Sequence, residues 1–97
     1  MTEAGRTADE SIVPYRLELL RRETVNLRNA RRILSEIEAR TQGDALIVRE
    51  SRRAVELAEN AQRLGIVDAR RVGASAEQLA EATGLDPSQI DAVVRGR

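Results

Sequence analysis

The sequence has no cysteine, no histidine and, apart from Tyr15, no aromatic residue. Without cysteine the chain forms neither disulfides nor thiolate metal sites. Without histidine it lacks imidazole metal ligands and the commonest general base. No glycine-rich phosphate-binding loop is present, and the carboxylates of Glu36 and Glu38 cannot face each other, because residues two apart on a helix diverge. We therefore expect a protein that is not an enzyme and has no cofactor or metal site.

Long hydrophobic runs are also missing. Near the middle of the chain the longest apolar run is Ala45 to Val48, far short of the roughly 20 residues that a membrane-spanning helix needs. The N-terminal residues MTEAGRTADE are polar and lack the apolar region of a secretory signal. We predict a cytoplasmic protein with no membrane partner.

Charge of one sign is not in excess. The 16 basic residues, all arginine, balance 16 acidic residues, so the simplest indication of nucleic-acid binding is absent. From Ile66 onward five carboxylates outnumber four arginines, giving a net charge of −1. A GC-rich genome accounts for the exclusive use of arginine, although arginine also suits phosphate recognition.

The first predicted helix begins with Ser11 as its cap or at Pro14, which a helix tolerates in its first turn. Residues 1–11 are then a disordered tail. From there the helix runs to about Gln42 and is roughly 40 Å long, too long for the rest of so small a chain to cover. We therefore predict a homodimer whose interface is the apolar stripe of this helix. The dimerisation residues are Leu17, Leu20, Leu27, Leu34 and Ile37.

A second helix follows a short break at Gly43 and Asp44, and so short a link favours antiparallel neighbours. The apolar spacing continues beyond Gly65, which favours one helix from Ala45 to Val72. It has a small-residue seam that we expect to pack under the first helix; the alternative is a docking groove for a helix of a protein partner. The seam comprises Ile47, Ser51, Ala54, Ala58 and Ala61.

The last part of the chain has the signals of two short capped helices. Ser75 and Gln78 form a capping box, and so do Asp86 and Gln89. Gly84 fits the left-handed conformation that closes a helix. The predicted architecture is therefore all-α, with a long antiparallel hairpin over residues 12–64 and a helix-turn-helix unit over residues 65–97.

This C-terminal stretch resembles the helix-turn-helix of bacterial and phage DNA-binding regulators. The matching residues are a small residue, Ala80, a glycine four residues later, Gly84, and a branched aliphatic six residues after that, Ile90. The surrounding aliphatics are also in register, at Leu79, Leu85 and Val93. The resemblance covers about a third of the chain and implies double-stranded DNA as the partner.

In that family the second helix of the motif enters the major groove. The resemblance therefore implies DNA-contacting residues at Ser88, Gln89, Ala92 and Arg95, and we expect Arg71 and Arg97 to add positive charge beside them. Asp91 departs from the pattern that DNA favours, since a carboxylate repels phosphate.

Two functions remain open from the sequence. The first is a small DNA-binding regulator that acts as a homodimer through its hairpin. The second is a helical protein–protein interaction module that does not bind DNA. Arginines that converge beside Gln89 favour DNA, whereas an acidic rim made by Glu81, Asp86 and Asp91 favours the interaction module.

Overall fold

A computed structural model describes residues 2–41 and 45–96, with side chains from residue 12. Within these residues the chain is all-helical and has no strand, which confirms the predicted fold class. Its four helices, in chain order, are α1 (Thr2–Arg40), α2 (Leu46–Arg71), α3 (Ala76–Thr83) and α4 (Pro87–Val94).

The start of α1 differs from the prediction. The helix begins at Thr2 rather than at Ser11 or Pro14, so the backbone of the predicted tail continues α1 and Pro14 lies inside the helix. Proline removes one backbone donor, and the polar residues before it give no apolar pattern from which a helix could be inferred. The predicted cap at Asp44 lies outside the described residues.

Helices α1 and α2 form an antiparallel hairpin, as predicted. Three hydrogen-bonded contacts show the direction, because residue numbers fall along α2 as they rise along α1. They are Thr24 Oγ1 with Gln62 Nε2 at 3.0 Å, Arg31 Nη2 with Glu59 Oε2 at 3.0 Å, and Glu38 Oε2 with Arg52 Nη2 at 3.1 Å.

The stripe predicted for dimerisation lies inside the monomer. Leu17, Leu20 and Leu27 are buried, while Leu34 and Ile37 are half-buried. The prediction treated α1 as uncovered, but α2 is long enough to run alongside most of it. These leucines therefore contribute to the core of a single chain, and an interface between two copies would need another surface.

The face of α2 that meets α1 is also different from the predicted seam. Val48, Ile66 and Ala69 are its buried residues, whereas Ile47 is 52% exposed and Ala54 is exposed. Val48 is the residue after Ile47, so its side chain lies about 100° further around the helix axis. Because branched side chains bury more apolar area than alanine, the helix turns Val48 and Ile66 fully inward. Of the predicted seam, Ser51, Ala58 and Ala61 are half-buried.

Gly65 lies within α2, and the helix continues through it to Arg71, as the apolar spacing predicted. A β-carbon at this position would collide with the Glu23 carboxylate and approach Leu20 Cδ1 to 3.1 Å. Gly65 therefore allows α1 and α2 to approach closely, which offsets its poor helix propensity.

Candidate nucleic-acid interface

The first helix of the motif, α3, has both ends closed by hydrogen bonds. Ser75 Oγ accepts from the Gln78 N–H at 3.1 Å, and Gln78 Oε1 accepts from the Ser75 N–H at 2.8 Å. At the other end Gly84 adopts a left-handed φ of 76° and donates its N–H to the Ala80 carbonyl at 2.8 Å. This confirms the predicted capping box and the predicted glycine stop.

The link between α3 and α4 is fixed by Thr83, which is buried. Its hydroxyl donates to the Leu79 carbonyl at 2.8 Å and accepts from the Leu85 N–H at 3.1 Å. Asp86 then caps α4, and its N–H donates to Gln89 Oε1 at 2.8 Å. These bonds set the direction in which α4 leaves the turn.

Packing then holds α4 in place. Ile90 is buried in one apolar cluster with Leu79 and Ile66, and Leu85 and Val93 pack against that cluster. Among the described residues α4 contacts α2 and α3 but not α1. One face of this short helix is therefore anchored while the opposite face remains in solvent.

The residues predicted to contact DNA lie mostly on that solvent face. Ser88, Gln89 and Arg95 are exposed and Ala92 is half-exposed. Arg71 is also exposed, at the end of α2. Arg97 lies outside the described residues.

Two of these side chains already have partners within the chain. The acceptor oxygen of Gln89 caps α4 through the Asp86 N–H, so it is less free for a two-bond pairing with adenine. Arg95 Nη2 lies 3.2 Å from Asp91 Oδ2. Because that pair is exposed, both side chains can rearrange at little cost.

The rim around α4 has mixed charge rather than a single sign. Arg21 of α1 donates to Glu81 of α3 at 2.9 Å. This hydrogen bond and the charge of Glu81 raise the pKa of the Arg21 guanidinium above its usual value. With Glu81 compensated by Arg21 and Asp91 by Arg95, Asp86 remains an exposed carboxylate at the start of α4.

A second surface lies on the hairpin, where the sequence left a docking groove for a partner helix as the alternative role of the α2 seam. A shallow groove between α1 and α2 is lined by Leu19, Ala61 and Leu64, with Glu23 and Asp68 beside them. Burial raises the pKa of Glu23, and the charge of Asp68 adds to this effect. Ala61 of this groove belongs to the predicted seam, whereas Leu19, Glu23 and Asp68 were not identified from the sequence.

No family model, curated protein or solved structure matches this chain. In the part of the chain that the structure describes, no helix is long and apolar enough to span a membrane.

Proposed function

We propose that this chain is a small DNA-binding helix-turn-helix regulator that acts as a homodimer joined through its hairpin. The observation that supports the proposal is the position of α4, which is packed on one face and open to solvent on the other. Ile90 is buried beneath the helix, whereas Ser88 and Arg95 face solvent. A rigid helix with one free polar face is what insertion into a major groove requires.

The paired charges on α4 predict the character of the binding. Asp91 neutralises part of the charge of Arg95, so few phosphate contacts release counterions and the salt dependence of binding is shallow. Gln89 retains its amide donors for a base edge, since only its oxygen is engaged in the cap. Non-specific affinity is therefore weak, and base contacts supply a larger share of the binding energy.

The test is fluorescence anisotropy with labelled DNA fragments at low salt. Arg71→Ala removes an exposed arginine at the C-terminal end of α2 and is expected to weaken binding on all sequences and to reduce the salt slope by about one. Arg49→Ala is the matched control, because Arg49 is exposed near the opposite end of α2. Equal affinities for the two variants would contradict the proposed position of the interface.

A helical interaction module is the second candidate, and one observation favours it. Ile47, Leu57 and Leu64 leave an apolar face of α2 in solvent, with exposures of 52%, 57% and 60%. Contiguous exposed apolar surface usually marks a contact with another protein. In this version the C-terminal unit only caps the hairpin, and neither Arg71→Ala nor Arg49→Ala affects any function.

A further inference from the structure

The outward face of α2 has the spacing of a helix-pairing seam. Ile47, Ala54 and Ala61 recur every seven residues, and Leu57 and Leu64 follow the two alanines by three. Alternating spacings of three and four place these side chains along one stripe of a helix. Within the described chain Leu57 and Leu64 are 57% and 60% exposed, and Ala61 and Leu64 border the groove between α1 and α2.

The hairpin is asymmetric around its long axis. The ion pairs between α1 and α2 involve Arg52 and Glu59, and Glu59 lies about 160° around the helix from Leu57. One side of the hairpin thus has the ion pairs that join α1 to α2. The other side has Leu57, Leu64 and the groove beside Leu19. This second side is the one available to a partner.

We propose that this stripe pairs antiparallel with the same stripe of a second copy, so that Leu57 of each copy enters the groove beside Ala61 of the other. The proposal deepens the homodimer in the proposed function and is independent of whether DNA is bound.

Size complementarity selects a second copy as the occupant. In the register that sets Leu57 opposite Ala61, Leu64 of one copy lies opposite Ala54 of the other. Each leucine then meets an alanine on the facing helix, and a twofold axis produces both contacts twice. Matching a large side chain to a small one allows the two helices to approach closely and fill the groove.

Side-chain size sets the antiparallel direction, and the charges are compatible with it. In the proposed register Arg53 comes within one helical turn of Asp68 of the second copy. A parallel pair in register would instead set Leu57 against Leu57 and Ala61 against Ala61, so that the alanine layers would stay unfilled. The antiparallel pair still brings Glu50 level with Asp68 of the second copy, where Arg53 and the groove residue Arg16 compensate.

The register has a consequence for the proposed function. Arg71 of one copy lies level with Ile47 of the other, so the two Arg71 residues are roughly 36 Å apart along the shared axis. Half-sites one DNA turn apart are separated by about 34–36 Å. An antiparallel pair therefore sets the two C-terminal units at a distance suited to successive major grooves on one side of DNA.

Sedimentation equilibrium of the full chain tests the surface. The wild type is expected to be dimeric at micromolar concentration, and Leu57→Glu is expected to raise the dissociation constant by at least about 30-fold. Leu64→Glu serves as a second variant, and Val25→Glu is the control, since Val25 is an exposed apolar residue elsewhere on the hairpin. Far-UV circular dichroism verifies that each variant is folded.

The direction of pairing has its own test. In the antiparallel register Glu50 lies level with Asp68 of the second copy, so Glu50→Arg replaces a repulsive contact by an attractive one. The dissociation constant of the dimer is then expected to fall about 3- to 10-fold. In a parallel pair the same change exchanges one like-charge contact for another. Spin labels attached at Arg71→Cys are expected at a separation of several nanometres. The chain has no native cysteine, so no other position is labelled.

Three results would overturn the proposal: a monomeric wild type at about 100 micromolar, which is far above the dissociation constants of stable dimers; a dimer that Leu57→Glu and Leu64→Glu leave intact; or short distances between the labels. A monomer that still binds DNA would leave the DNA proposal standing. A dimer that retards no DNA would leave only the interface standing.

Discussion

Gly65 of α2 lies so close to Leu20 of α1 that a β-carbon on Gly65 would be 3.1 Å from Leu20 Cδ1. Leu20 is fully buried, so it cannot move away without disturbing its neighbours. The Glu23 carboxylate occupies the same space but is the end of a flexible side chain. At this point the packing of the two long helices thus depends on a residue that lacks a side chain.

Gly65→Ala is therefore expected to destabilise the protein despite the better helix propensity of alanine. The propensity gain is about 1 kcal/mol, whereas overpacking a well-filled core costs about 1–3 kcal/mol. We expect a net loss of about 1 kcal/mol in the free energy of unfolding, measured by urea denaturation. In a Glu23→Ala background the loss should shrink, because part of the clash has been removed. A stabilised Gly65→Ala protein would show that Leu20 has room to move.

Comparing Leu20→Ala with Leu57→Ala distinguishes a residue in the core of one chain from a residue at the proposed interface between two chains. Leu20 is buried against α2, so its truncation is expected to lower the free energy of unfolding by about 2–5 kcal/mol. Leu57→Ala, on the exposed face, should instead change the dissociation constant of the dimer. Thermal melts followed over a range of protein concentrations distinguish the two effects, because only dimer dissociation makes the melting temperature depend on concentration. If Leu20→Ala dissociated the dimer without loss of stability, the assignment of the core would be wrong.

The sequence was sufficient to predict the fold class, the antiparallel hairpin, the bounds of α3 and the start of α4. Those predictions rested on local chemistry: Ser75, Gly84 and Asp86 each terminate or start a helix through bonds to close neighbours. Local signals of this kind do not depend on what else the chain packs against, so they carry over directly to the structure.

Which face of α2 turns inward could not be predicted in the same way. Ile47 and Val48 are adjacent and both apolar, so the spacing alone supports two stripes about 100° apart. The choice depends on which stripe fits Leu20 and Leu27 across the hairpin, a tertiary property. The same is true of Arg95, whose partner Asp91 became clear only from the structure.

The pKa of Glu23 provides a pH test. Burial and Asp68 raise this pKa in the folded protein above its ordinary value of 4.5, so the folded state holds the proton more tightly than the unfolded state. Wild-type stability therefore falls as pH rises through the window between the ordinary and the raised value. Glu23→Gln removes this dependence. The variant should gain stability relative to wild type across that window and hold the gain at neutral pH.

Urea denaturation at fixed protein concentration from about pH 4 to pH 8 measures the effect of Glu23→Gln. The control is Glu36→Gln, which alters an exposed glutamate on the same helix. A constant difference between wild type and Glu23→Gln at all pH values would contradict the buried, acidic environment of Glu23.

Gln89 is expected to contribute to both folding and recognition. Gln89→Ala removes the acceptor of the Asp86 N–H, which should lower the free energy of unfolding by about 0.5–1.5 kcal/mol. On DNA the same change should reduce affinity for the preferred site by about 1–3 kcal/mol and relax the choice of one base. Ser88→Ala, at a neighbouring exposed position, is the control for stability. A stability loss with unchanged DNA affinity would assign Gln89 to the cap alone.

Gly84→Val tests whether the position of α4 matters. Gly84 has a φ of 76°, and a branched side chain is strongly disfavoured there. The variant should keep the α1–α2 hairpin, and with it the surface of the proposed dimer, while α4 loses its orientation. We expect circular dichroism to change little and DNA binding to be lost. Full DNA binding by Gly84→Val would show that α4 is not the contacting element.

The most direct measurement selects fragments of genomic DNA with the wild-type protein at low salt and micromolar concentration, and then sequences and footprints the fragments that are retained. Retained fragments are expected to share two half-sites whose centres lie about 10 base pairs apart, matching the spacing of the two C-terminal units in the proposed dimer. If the folded protein retains no fragment under these conditions, the DNA-binding account is contradicted.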